Sequence, residues 1–467
     1  MITYEDLLSA RASGEGAVIE LIETAIREHA GSDLYRTAAD AVLYDRHRNP
    51  TIEKYQKFLW TVSGQKVPDF ISANWKTKNG LFPYFIIQES THLLGNGVTF
   101  REEGTKERLG VNFDGDILDA AHEALVCGEA YLFYDRDHIQ TFTPLSFVPL
   151  LSESTGAIMA GIRWWQIDAK KPLRYTLMEL DGFAEYIRRK DKDTEILVPK
   201  RAYKINFRSS EADGVEIVDG ENYPGFPVVP LRANRYRQSR LVGLREKLDC
   251  YDFIESGFAN DVDEASILYW TLTNAGGMSD ADLVRFVERM KTLHATTIDE
   301  DVNLESHAVE PKHEAREAAL ARLESGLYRD AMALDVRQMQ AGQVTATQIT
   351  AAYEPLTGLC DEFEKEVTRC IKGLLALAGV DDEPSYSRSK IVNQLEETQM
   401  VMTAAAHLDD ELILDKLPFV TQDDKEAYLE RRNAGEMARW VSGAGTNTTG
   451  EEDGSEGGSG GSGEGEV

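Results

Sequence analysis

The 467-residue sequence is poor in cysteine, and its four thiols, Cys127, Cys250, Cys360 and Cys370, never fall at the two-residue spacing of a zinc knuckle or a redox pair. They read as buried thiols of a reducing compartment. Long apolar runs are missing too: no stretch approaches the ~18 residues of a membrane span, and the opening MITYEDLLSARASGEG carries acids where a secretory leader needs basic residues. A soluble chain made in cytoplasm is the expectation. Positive charge is scarce, with 50 Lys and Arg against 80 Asp and Glu and a formal net charge of -30, so tight coating of nucleic acid through a basic surface is not expected.

Catalytic signatures are equally scarce. No glycine-rich lysine loop could cradle nucleotide phosphates, and no His-Glu-x-x-His could hold zinc. The one Gly-x-Ser-x-Gly match, Gly457 to Gly461, falls in a Gly, Ser and Glu segment with no strand-to-helix elbow to aim Ser459. Gly95-Asn96-Gly97 lacks the third glycine of a dinucleotide fingerprint and reads as a helix cap. Asp114, Asp116 and Asp119, or Asp299, Glu300 and Asp301, could share a hard cation, with solvated loops as the alternative. Trp164-Trp165 could stack on bases, or could place one ring in a sheet core. No metal, no cofactor and no enzymatic activity are expected.

What is present is a change of texture along the chain. Residues 1 to about 45 repeat apolar positions at helical spacing (Ile19, Ile22, Ile26, then Leu34, Ala38, Ala41) and predict a helical arm. Leu81 to Gly95 predicts a buried helix closed by glycine. Between Ala130 and Asn234, short β-rich runs punctuated by Asp-Gly or Gly predict a mostly antiparallel sheet region. Beyond Asn234 a stripe of Leu241, Leu244, Leu248, Tyr251, Ile254, Phe258, Val262 and Ala265 predicts a helix of about thirty residues. Ser279 with Asp282 starts a short helix, Lys312 to Ala333 predicts another amphipathic one, and Ile349 to Leu374 predicts a third that Pro355 kinks. The glycine-rich acidic end, from about Val441, reads as a disordered tail. The fold class is α+β.

PGFPVVPLRANRYRQSRLVGLREKLDCYDFIESGFANDVDEA (Pro224 to Ala265) resembles the portal proteins of long, non-contractile-tailed phages, with a proline-valine strand, an asparagine and an aspartate-rich helix ending near Ser-x-Phe-Ala-Asn-Asp. HLLGNGVTF (His92 to Phe100), ALVCGEAYLFYDRD (Ala124 to Asp137) and LILDKLPFVTQDDKEAYLERRNAGE (Leu412 to Glu436) extend it in the same order, while Ala341 to Ile349 departs from the serine-glycine element of relatives. The resemblance implies an N-terminal arm and β-rich wing over 1–238, a stem helix at 239–270, an α/β clip at 271–311, a second stem helix at 312–333 and a tunnel loop at 334–346. It further implies a kinked helix returning to the wing over 347–393 and a helical crown over 394–440, before the tail at 441–467.

In that reading Asp335, Arg337, Gln338, Gln340 and Gln343 of the tunnel loop touch DNA, the glutamines by neutral hydrogen bonds and Arg337 as the permanent cation. The implied partners are the chain itself in a ring, expected as a dodecamer, and double-stranded DNA passing through without sequence preference. The terminase motor, the head-tail connector, and the major capsid and scaffold proteins complete the set, with no membrane. The implied place is the portal vertex of the virion, reached from the host cytoplasm during assembly. A minor head protein or scaffold, or a Mg-dependent DNA-processing enzyme, are the rival readings; the β-rich block speaks against a scaffold.

Overall fold

The computed structural model describes residues 2–60, 64–70, 72–136, 138–190, 193–210, 214–265, 269–273, 303–307, 313–339 and 346–388, with scattered positions between 279 and 286 and between 401 and 432. Two units divide the chain: residues 1–344 with 350–390, and residues 345–349 with 391–467. The second is described only at the start of the helix that begins at Ala346 and at isolated helical positions from 401 onward. The expected crown at 394–440 therefore lies largely outside the described residues, and the expected tail at 441–467 wholly so.

The N-terminal residues form three helices, α1 (Tyr4–Ser13), α2 (Glu15–Ala30) and α3 (Asp33–Asp45), rather than one arm. Gly14 breaks the first from the second at φ 111°, a conformation other residues rarely adopt. Thr3 and Asp6 cap α1 reciprocally, the Asp6 N–H donating to Thr3 Oγ1 and the Thr3 N–H to the Asp6 carboxylate. A fourth helix, α4 (Pro50–Lys54), starts on the Asn49 cap with proline at its first position, and a hairpin of β1 (Phe58–Trp60) and β2 (Lys66–Pro68) follows. Then come the expected buried helix α5 (Leu81–Leu94), a short strand β3 (Val98–Thr99), α6 (Thr105–Leu109) and α7 (Phe113–Cys127).

The β-rich block is antiparallel, as its turn chemistry predicts. Strands β4 (Glu129–Tyr134), β5 (Ile139–Phe142), β6 (Phe147–Leu151), β7 (Ile158–Trp165), β8 (Leu173–Glu179), β9 (Gly182–Arg188) and β10 (Thr194–Arg201) are followed by β11 (Lys204–Ser210), β12 (Gly214–Glu221) and β13 (Val228–Arg232). They form a five-stranded meander in the order β10-β9-β8-β7-β6, a three-stranded sheet β13-β4-β5 and the pair β11-β12. Alternation along a strand divides the meander's side chains between two faces. Val148, Leu150, Ile162, Tyr175, Leu177 and Tyr186 pack on Leu7, Val18, Leu21, Ile22 and Ala25 of the first two helices. The N-terminal helices are thus the cover of one sheet face, which corrects the expectation of an arm.

After β13 the chain turns through 233–244 into α8 (Arg245–Ala265), then β14 (Tyr269–Thr273), β15 (Asn303–His307), α9 (His313–Asp330), α10 (Ala346–Ala378) and β16 (Ser385–Tyr386). Strand β14 pairs antiparallel with β15, and β16 with β3. The expected stem helix of 239–270 is therefore shorter at both ends: Ser239 to Leu244 is a turn with Gly243 at φ 88°, and Tyr269-Trp270 belong to a strand. Pro355 lies inside α10, as expected.

Of the four cysteines, Cys127, Cys360 and Cys370 are buried, but Cys250 is exposed on α8, against the expectation of four buried thiols. Burial pushes the Cys360 thiol up to about 12 and the other two buried thiols up as well. A maleimide titration of the native chain is expected to modify Cys250 alone, and all four thiols once denaturant is added; modification of Cys360 in the native chain would contradict the burial.

Candidate functional site

The residues that the sequence puts forward for DNA contact follow a helical hairpin, so the site begins there. Helices α8 and α9 run antiparallel, tied by Lys247 to Asp330 at one end and by Arg316 to Asp261, at 2.6 Å, toward the other. Near the second pair the Phe258 and His313 rings meet edge to face with centroids 5.2 Å apart. At about 1.5 Å per residue the two helices are about 32 and 27 Å long, so the hairpin carries β14 and β15 well away from its base.

Helix α8 holds seven acids against two basic residues, yet most of its acids already have partners. An extended segment at residues 75–79 lies along it. Trp75 N–H donates to Asn260 Oδ1 at 2.6 Å, Thr77 N–H to Ser256 Oγ at 3.0 Å, and Asn79 N–H to Asp252 Oδ1 at 2.9 Å. Four helical residues rise about 6 Å and two extended residues span about 6.6 Å, so the two repeats stay in register. Asn79 Nδ2 and Asn49 Nδ2 add bonds of 2.6 and 2.7 Å to Asp252, and Tyr44 and Thr51 hydroxyls donate to Asp249 at 2.5 and 2.9 Å. Asp263 accepts from Trp75 Nε1 at 3.0 Å. The aspartate-rich run quoted from the sequence is thus a docking face for residues 44–51 and 75–79. Sequence reading missed this partner, because backbone N–H donors leave no mark in the side-chain pattern.

At the base, the turn leading into α8 is joined to helix α5 by a buried ion pair. Arg240 donates Nε to Glu89 Oε2 at 3.0 Å and Nη2 to Glu89 Oε1 at 2.6 Å, with Glu89 fully enclosed on α5. Burial pushes the Glu89 carboxyl up and the Arg240 guanidinium pulls it back down. The Arg240 N–H also donates to Leu125 O at 3.0 Å.

At the same end of the hairpin, α9 stops through a turn with Met332 at φ 52°. Leu334 is then held by Gln88 of α5, which accepts the Leu334 N–H at 2.7 Å and donates to its carbonyl at 3.1 Å. Residues 336–339 make a short 3₁₀ turn. The structure brings Asp335 and Arg337 together: the Arg337 guanidinium reaches Asp335 Oδ1 at 3.1 Å and Glu324 Oε1 of α9 at 2.8 Å, over the Tyr328 ring at 5.4 Å. Hydrogen bonds from Glu324 and Asp335 raise its pKa above the ordinary value. Arg337 is therefore no free cation; two carboxylates neutralise it, although its side chain is about half exposed. Gln338 lies in the 3₁₀ turn, while Gln340 and Gln343 fall outside the described residues.

The other candidates resolve into structural roles. Asp114 takes Lys106 at 2.7 Å and the Val98 N–H at 2.9 Å, and Asp116 takes the Ile139 N–H at 3.2 Å. The cluster at residues 299–301 lies outside the described residues. Gly95 ends α5, as expected, with its N–H on Thr91 O. Trp164 packs toward the covered face of the meander and Trp165 points to the other, Arg163 stacking on its ring.

Comparison with known proteins places the whole hairpin inside one family. The model described as phage portal protein, SPP1 Gp6-like, matches residues 72–437. A curated portal protein of Clostridium phage phiCD119 is 24% identical over 386 residues, covering 77% of this chain and 86% of that relative. Among solved structures, the neck of a native GTA particle computed with C12 symmetry aligns at TM-score 0.40 and 10% identity, over 81% of this chain and 98% of that one. The neck of an empty GTA particle computed with C6 symmetry aligns at 0.41 and 11%, over 80% and 96%. Those two scores are too low to bear weight. The family match spans most of the sequence, and the chain belongs to the SPP1 Gp6-like phage portal protein family.

Proposed function

We infer that this chain is the repeating subunit of a ring, expected as a dodecamer, that forms the DNA channel at one capsid vertex. The genome would be packaged and ejected through it, and the packaging motor and head-tail connector would dock on it in turn. In this reading the sheets with their helical cover are the wing, α8 and α9 the stem, and the region around β14 and β15 the clip. Residues 334–346 are the tunnel loop, α10 the return helix, and residues 394–440 the crown toward capsid and scaffold proteins. The observation that carries it is the family match over 72–437, which contains the complete helical hairpin.

A channel must let DNA slide. Duplex DNA carries about one charge per 1.7 Å of axis, and each phosphate neutralised by a basic side chain adds a salt-dependent grip. The hairpin suits sliding because most of its basic residues are engaged: Arg245, Lys247, Arg316 and Arg329 sit in ion pairs, as does Arg337 just beyond it. Most of the acids of α8 are engaged as well, so the net charge of -30 overstates the field that this element would present to a duplex. Only charges within a Debye length of ~8 Å act on the phosphates at physiological salt.

Arg337 tests the loop assignment. Because its ion pairs are largely exposed, Arg337→Ala is expected to change stability by no more than about 1 kcal/mol. Rings are expected to form as before, while packaged DNA length or retention changes, since Glu324 and Asp335 lose their counter-charge. Unchanged packaging and retention in that variant would remove Arg337 from the channel.

A further inference from the structure

The covered face of the meander has its partner in the N-terminal helices; the opposite face opens onto a cleft of about 350 Å³ shared with the β4-β5 strands. Register fixes which residues line it. Arg163 of β7 stands opposite Thr176 of β8, and Thr176 opposite Glu185 of β9. Three neighbouring strands thus place Arg163 and Glu185 about 10 Å apart on one row, at about 4.8 Å per strand.

Arg163 lies between two rings, 4.3 Å from the Phe142 centroid and 4.7 Å from that of Trp165. One N–H bond goes to Gln140 Oε1 at 3.2 Å; among the described residues no carboxylate comes within ion-pair distance. Nearby, Arg188 and Arg189 by contrast have Glu23 and Glu195 as counter-charges. Two further cations rim the cleft on aromatic faces, Arg201 over Phe183 at 5.0 Å and Lys204 over Tyr223 at 4.6 Å. They too have no ion pair among the described residues. A half-buried guanidinium without a counter-ion costs free energy that a bound carboxylate would offset, and its flat fork fits a carboxylate at two points.

We propose that this cleft binds an acidic segment of a partner polypeptide, with Arg163 pairing with a single carboxylate and the Phe142, Trp165 and Phe183 rings taking the apolar side chains beside it. Charge complementarity selects the ligand, and the shape selects its source. Glu185 and Asp135 also line the cleft, so a polyanion with closely spaced phosphates would meet repulsion that one carboxylate between neutral side chains avoids. A rigid duplex cannot bring a phosphate into a cleft of this size. The proposal is independent of the channel reading: the full chain can be tested whether or not it forms rings.

The test is fluorescence anisotropy on the full chain with three probes: a short amidated peptide bearing one glutamate between leucines and serines, its glutamine twin, and a short oligothymidylate. The glutamate peptide is expected to bind at least about tenfold more tightly than the twin, as a part-buried charge pair requires. Arg163→Met is expected to bring that ratio to about one, while Arg189→Met, at an exposed pair, leaves it unchanged. Equal binding of the two peptides to the unaltered chain would overturn the proposal whatever the variants do. So would a ratio that survives Arg163→Met, or preferential binding of the oligonucleotide.

Discussion

Replacing Arg240 by methionine is expected to destabilise the larger unit by about 4 kcal/mol at neutral pH, the cost of leaving a buried carboxylate without its counter-charge. Glu89 is enclosed by α5, α10 and the turn before α8, and Cys360 donates to its backbone carbonyl. Among the described residues, no other cation pairs with it. The effect carries a pH signature. Burial already raises the folded-state pKa of Glu89 above the ordinary carboxylate range, and loss of Arg240 raises it further. A carboxyl with a raised folded pKa contributes stability that is full below the unfolded pKa and is lost as pH rises through the folded one. The variant's deficit is therefore expected to be small below the unfolded carboxyl's pKa of about 4.3 and to grow as pH rises above it. Urea midpoints followed by tryptophan fluorescence measure it. The double variant Glu89→Leu with Arg240→Met is expected to recover most of the loss, because an apolar pair of similar volume carries no buried charge. A deficit independent of pH would show that Arg240 acts through packing alone.

The second large effect is expected at the docking face of α8. Asp252→Ala removes the acceptor for the Asn79 N–H, the Asn79 amide and the Asn49 amide at once, and about 3 kcal/mol is expected from bonds to a buried charged group. Ser256→Ala removes a single neutral acceptor, so about 1 kcal/mol is expected. The loss is also local. Hydrogen exchange at the Thr77 and Asn79 amides is expected to accelerate in Asp252→Ala while the β6-β10 meander keeps its protection. Unchanged exchange at those two amides would mean that the segment is held by something other than the helix face.

Much of this architecture is legible in the sequence where local rules decide it. The antiparallel block follows from alternation and glycine turns, and α5 from its apolar run and Gly95. The span of α10 follows from its stripe at helical spacing, and Pro355 falls inside it where the sequence puts it. What escapes is set by contacts far apart in sequence. A periodic stripe does not distinguish a free arm from α1 and α2 covering a sheet, since both need one apolar face. Tyr269 and Trp270 fit the end of a helix as well as a strand, and only pairing with Ser306 and His307 decides. Arg337 reads as an available cation because Glu324 lies thirteen residues away on another element. Asp252, Ser256 and Asn260 look like a solvated helix face until the backbone of residues 75–79 is laid against them. Arg163 is the converse case: a cation held between Trp165 and Phe142 without a carboxylate partner among the described residues has no sequence signature.

The central claim is that this polypeptide assembles around an axis and leaves a hole for duplex DNA. Negative-stain electron microscopy of the purified full chain, with class averages viewed down the axis, tests it directly. Closed rings with a central opening wide enough for a duplex are expected, and solitary particles at every protein and salt concentration would contradict the account.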